Sequence, residues 1–195
     1  MNLQYEEGQT PIDEDEKRGL KIKSISMMGE LDEFEQQNIE NAIQWAHGRS
    51  FRLDKILEVD FIQHVHKRMF RDVWRWAGQF RGSNKNIGVP YHQIRQELKI
   101  LLDDCQYWIS DGSLSPVEIA VRFKHRLVSI HLFPNGNGRH SRLMGDILLQ
   151  TLEDNKSFSW GNRTLQRGED RTEYLKALRQ ADNGDIDPLI DFSQK

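Results

Sequence analysis

One cysteine in 195 residues excludes an internal disulfide framework and any cysteine-rich zinc site. Cys105 reads as a small buried thiol on a helix face, and such scarcity suits a reducing compartment. No run approaches the ~18 to 20 apolar residues that span a bilayer, and the polar N-terminus lacks the apolar segment of a secretory signal, so a cytoplasmic protein without membrane contact is expected. Positive charge is not in excess either: 27 Lys plus Arg stand against 30 Asp plus Glu, a formal charge of −3. The chain therefore lacks the basic footprint of a nucleic-acid-coating protein, and no direct nucleic-acid contact is expected. Any phosphate chemistry must be local. Neither a Walker A sequence, a GxGxxG fingerprint nor an HExxH pair occurs.

What is present is helical periodicity. Residues 1–20 carry six acids and little apolar pattern and read as an extended or loosely docked acidic arm, leaving 21–195 as one domain. From Glu30 to His47 a stripe of Leu31, Phe34, Asn38, Ala42 and Trp45 predicts an amphipathic helix. A second run is expected after Asp60 as N-cap, and a third from about Tyr91 to Ser110. Ser115-Pro116-Val117-Glu118 supplies an N-cap, a proline at the first helical position and capping-box spacing for a fourth. Further helices are expected around Leu143–Leu152 and Tyr174–Ala181, with a short one after Asp187. Between Gln79 and Pro90 the helical period disappears, and this segment reads as a β-hairpin flap. The fold class is all-α, six or seven helices with that one hairpin.

The chemistry concentrates in His131–Arg142, HLFPNGNGRHSR, between two predicted helices. Gly136 and Gly138 permit backbone geometries that gather N–H groups into an anion cradle, reinforced by the positive end of the following helix. Asn137 adds an amide donor. Arg139 and Arg142, three residues apart, are placed to reach one side as two forks on a polyphosphate. His131 has the imidazole pKa of ~6.5 that suits a general base. Of the other histidines, His64 and His66 face different sides of their helix and receive no role.

This segment resembles the signature of the Fic family, HxFx[DE]GNGRxxR, matched everywhere except the acidic position. VWRWAGQFR before the flap and the tail RTEYLKALRQADNGDIDPLIDF are similar to the subgroup called mobile mystery protein B. The resemblance implies transfer of AMP from ATP to a Ser, Thr or Tyr hydroxyl of a target protein, with Mg²⁺ and release of pyrophosphate. It implies that His131 deprotonates the hydroxyl, that Gly136, Asn137 and Gly138 hold the α- and β-phosphates, and that Arg139 and Arg142 bind the β- and γ-phosphates. The flap residues Lys85, Asn86, Ile87, Gly88 and Val89 would pair with the target by strand addition. Tyr174 is the candidate stacking partner of adenine.

Asn135 stands where the family has the metal-binding Asp or Glu, and it offers a neutral oxygen without charge, with Asp146 as a candidate substitute carboxylate. Doc proteins, which phosphorylate, have Lys at the second glycine of GNG; Gly138 is retained here, favouring AMP transfer. The family's inhibitory pattern [ST]xxxE[GN] is met in part at Glu40-Asn41 and in part at Ser26-x-x-x-Glu30, making Glu40 and Glu30 candidate inhibitory residues. The resemblance also implies a toxin-like setting with a small antitoxin-like or DNA-binding companion. The alternatives are a nucleotide-binding regulatory module with little transfer activity, or transfer of another phosphate-containing group.

Overall fold

The computed structural model describes residues 14–25, 28–154, 156–160 and 169–195. Ser26 of the partial inhibitory pattern and residues 1–13 of the acidic arm lie outside them. The described helices are α1 (Glu14–Lys17), α2 (Met28–His47), α3 (Leu53–Ile56), α4 (Val59–Phe70), α5 (Ile94–Asp111), α6 (Pro116–Ile130), α7 (Asn137–Leu152), α8 (Glu169–Asp182) and α9 (Asp187–Ser193), with a 3₁₀ turn over Tyr91–Gln93. None is long and apolar enough to cross a membrane among the described residues. The sole β pairing among them is an isolated antiparallel bridge between Leu20 and Trp74.

α6 and α7 pack on each other at the centre, flanked by α5 on α6, by α2 on α4, and by the α8–α9 pair. Each helix turns its apolar stripe inward, as Leu98, Leu101, Leu102 and Cys105 do on α5, and Phe123, Leu127 and Ile130 on α6. Ser115 caps α6 as its sequence predicts, its hydroxyl accepting the Glu118 N–H at 3.2 Å. α4 departs from expectation: Glu58, not Asp60, precedes its first turn. On α2 the buried stripe is Leu31, Glu35, Asn38, Ile39 and Ala42, while Phe34 is exposed. The polar members are matched across the interface, Asn38 exchanging two hydrogen bonds with Asp72, so a helix with a mixed inward face is stable without Phe34.

The arm is docked where it is described. α1 and the turn after it lie against Val73–Trp76, with Lys21 N–H donating to Val73 O, Arg75 N–H to Gly19 O and Trp76 Nε1 to Glu16 O.

The expected hairpin at 79–90 is not a hairpin. The segment is an irregular loop laid beside 130–132, held at its two ends by Arg81 N–H to Leu132 O and Val89 N–H to Ile130 O. The Arg81 side chain explains why no ladder forms. Its guanidinium occupies the carbonyls that strands would share, donating to His131 O at 2.6 Å, Ser83 O at 2.8 Å, Ile130 O at 3.4 Å and, by a short contact, Val89 O.

Candidate active site

The signature segment is the turn that joins α6 to α7, and its shape follows from a few side chains. His131 ends α6 in the left-handed region, φ 60° and ψ 66°, a conformation most residues avoid and one held here by Arg81 on its carbonyl. Gly136, at φ 77°, opens α7. A Cβ there would overlap the Phe70 ring at 2.4 Å, so only glycine fits. Gly138 differs: a Cβ there would meet nothing within 4 Å, so its face of the first turn is open to a ligand.

Asn137 does not point outward as expected. Its carbonyl accepts the Phe133 N–H at 2.9 Å and its amide donates to Phe133 O at 2.8 Å, bracing the turn from inside. Asn135 Oδ1 accepts the Gly136 N–H at 2.5 Å, which withdraws that donor from the anion cradle. The donors left at the open side are those of the first turn of α7 around Gly138, beside Arg139.

Phe133 is buried and stacks on His66 with centroids 3.7 Å apart. His66 is a site residue that the periodicity argument passed over. Its Nδ1 accepts the Gly78 N–H at 2.9 Å, so the proton sits on Nε2, which donates to Asn135 O at 3.0 Å. One imidazole thus joins the turn before the flap to the turn that carries the motif. Burial, with a smaller contribution from His140, holds it neutral, well below the ordinary imidazole value. His140 is likewise buried, bonded to Ile62 O and pushed down to about 4. The clue in sequence was the aromatic surroundings of His66, Phe70 and Trp76 on one side of α4 and its extension.

His131 lies under the flap. A Cβ at Gly88 would approach the His131 Cβ to 2.5 Å, so the loop passes directly over this residue because it has glycine there. Burial, then the Arg81 and Lys85 charges, push the imidazole down to about 4, and at neutral pH it is in the free-base form. Of the flap residues, Asn86 and Ile87 are exposed and Val89 is half-buried. The Lys85 side chain is buried in an ion pair with Glu16 at 2.6 Å and faces the arm, not a target.

The two motif arginines do not converge on one side. Arg139 turns to α2, its Nη1 donating to Glu35 Oε2 at 2.7 Å, while Trp74 Nε1 donates to Glu35 Oε1 at 2.6 Å. Arg142 turns to α8, its guanidinium 5.4 Å from the Tyr174 ring centroid. A carboxylate does meet a motif arginine, but it is Glu35 on Arg139. Glu40 lies on the exposed face of α2, accepting from Gln36, and Glu30 stands in that helix's first turn. Tyr174 is buried between Phe192, Lys124 and Arg142, so its ring has no face open for adenine.

The donor set does not fit a protein-held Mg²⁺. Asn135 contributes an amide oxygen already engaged by Gly136 N–H, and no group of three His, Cys, Asp or Glu suited to a metal occurs among the described residues. Asp146, the candidate substitute, accepts from Trp160 Nε1 and Phe158 N–H instead, and burial pushes its carboxyl up to about 7.

Comparison with known proteins agrees with this fold. The Fic/DOC family model matches residues 56–149. The chain is similar to the protein adenylyltransferase Fic of Nematostella vectensis, 25% identical over 166 residues that cover 83% of this chain and 37% of that protein. The same-named protein of Drosophila mojavensis is 30% identical over 119 residues, 60% of this chain and 22% of that protein. The chain thus spans well under half the length of these curated relatives. Among solved structures it resembles the BepC protein of Bartonella tribocorum with bound AMPPNP, TM-score 0.71 at 18% identity over 93% of this chain and 97% of that one. It also resembles the N-terminal Fic domain of a Bartonella quintana cell filamentation protein with bound ADP, TM-score 0.70 at 18% identity, over 92% and 94%. The central helix pair, the glycine-built turn and His131 under the flap all fall in or against residues 56–149, the segment that matches the Fic/DOC family domain.

Proposed function

We propose that the domain transfers AMP from ATP to a hydroxyl side chain of a target protein. The observation that carries this reading is the state of His131: a neutral imidazole, held beneath the flap and at the start of a turn whose Gly138 side is open. In the proposed step the hydroxyl oxygen attacks the α-phosphorus, the bond to the β-phosphate oxygen breaks, pyrophosphate leaves, and the hydroxyl proton passes to His131. N–H groups of the first turn of α7 stabilise the charge on the α- and β-phosphates, and Arg139 and Arg142 take the outer phosphates. Asn86 and Ile87 are the flap residues placed to meet the target segment. The name and nucleotides of the relatives support this reading. Since the donor set does not fit a protein-held Mg²⁺, no step here is assigned to the metal.

Incubation with ATP labelled at the α-phosphate, or at the γ-phosphate, tests the reaction. Label on protein from the α-position alone, abolished in His131→Ala, is the expected outcome; unchanged labelling in His131→Ala removes the mechanism. A second reading, a nucleotide-binding module with weak transfer, is favoured by Asn135 alone and would give binding without label. The segment around Trp74 and Trp76 and the C-terminal tail support placement in the mobile mystery protein B subgroup, and with it a toxin-like role, a small DNA-binding companion and a cytoplasmic setting.

A further inference from the structure

One charged group has no occupation in the chemistry above. Lys124, on α6, is fully buried, and its ammonium makes no hydrogen bond among the described residues. Burial lowers the ammonium below the ordinary lysine value, while the Tyr174 hydroxyl beside it favours the charged form, which directs attention to what that charge does. Its Nζ lies 4.5 Å from the Tyr174 ring centroid and 5.5 Å from that of Trp160. The Tyr174 hydroxyl is also buried without a hydrogen bond among these residues. Arg142 approaches the same tyrosine at 5.4 Å. Burial alone would raise the tyrosine hydroxyl, yet Lys124 and Arg142 bring it below its ordinary value, so the ring is exposed to both positive charges.

The nearby carboxylates do not balance these cations. Asp146 is held by Phe158 and Trp160, and burial leaves it only partly ionised at neutral pH. Asp182 is largely exposed and engaged with His125. The Arg142 end of the site is therefore short of negative charge.

We propose that Lys124 is a specificity-determining residue: acting through Tyr174 and Arg142, its buried charge makes this end of the site select nucleotides that carry terminal phosphates over monophosphates. The inference rests on the reading of the turn as a phosphate site. Charge in a water-poor interior is weakly screened, so it acts on the doubly charged end of a triphosphate at Arg142 more than on a single phosphate at the glycine turn. Lys124 touches no ligand in this scheme.

Calorimetric titration of the full chain with ATP and with AMP, in wild type and Lys124→Met, tests it. Loss of about tenfold in ATP affinity with AMP affinity unchanged is expected, and Tyr174→Phe, which keeps the ring, should show a smaller loss in the same direction. Methionine replaces an unbonded buried charge by an apolar chain of similar length, so the urea midpoint should hold or rise and weaker ATP binding is not unfolding. If Lys124→Met fails to fold, Tyr174→Phe decides, an ATP-selective loss supporting the proposal and none overturning it. Equal ATP affinity in wild type and Lys124→Met overturns it, as does a parallel loss for ATP and AMP. A wild-type chain that binds neither nucleotide instead overturns the phosphate-site reading, and this inference falls with it.

Discussion

Arg139 has two claims on it, the Glu35 carboxylate and any bound phosphate, and Glu35→Gln removes the first with little change of shape. The glutamine retains an oxygen for Trp74 Nε1 and a similar volume, so the α2–α7 contact survives. What disappears is one charge-assisted hydrogen bond at 2.7 Å between a buried carboxylate and a guanidinium that is 28% exposed. Such a bond to a charged group contributes about 1.5–3 kcal/mol when sheltered. Partial exposure of the arginine reduces this to about 1 kcal/mol. That sum now favours the ligand: ATP affinity should rise about fivefold, while the urea midpoint falls by an amount matching about 1 kcal/mol. Calorimetry with ATP and parallel urea unfolding measure both. Unchanged or weaker ATP binding in a folded Glu35→Gln protein would show that Arg139 serves the α2 contact alone, and would falsify the competition between carboxylate and phosphate.

The buried histidines predict an unusual acid response. His131 and His140 sit near 4 in the folded chain and burial holds His66 well below its ordinary value, against ~6.5 unfolded, so the unfolded state takes up protons first and stability present above pH ~6.5 is lost as pH falls toward 4. Asp146, raised to about 7, acts in the opposite sense and offsets one of these histidines, so at least one histidine equivalent remains, about 1.4 kcal/mol per pH unit. Urea midpoints should therefore drop steeply between pH 6 and 5; a flat profile there contradicts the burial of these rings. Asn135→Asp places a charge where the turn has only an amide and should make transfer activity rise with Mg²⁺ concentration more steeply than in wild type. Identical Mg²⁺ curves for the two proteins would count against Asn135 facing the nucleotide.

Most helices were legible in sequence because their stripes, and the Ser115 cap, are local signals. The flap was not, since its form depends on Arg81 reaching carbonyls some fifty residues away, and no window of sequence contains that contact. Asn38 in an apolar stripe was a visible hint that the inward face of α2 is polar. Glu35 beside it carried no such mark, because Phe34 next to it satisfied the same helical period and concealed the true face. The structure brings the glycines, His131 and the arginines together on and beside one turn, but the direction of each side chain was not readable. Asn137 turns inward because Phe133 offers both a donor and an acceptor, and the arginines diverge because Glu35 and Tyr174 come from different helices.

The Glu16–Lys85 pair has a practical bearing on any trimmed version of this protein. Cutting the chain just after Arg18 would remove the carboxylate that offsets the Lys85 ammonium, now at 3% exposure, within the segment that passes over His131. The shortened molecule would present a more basic rim to whatever approaches it.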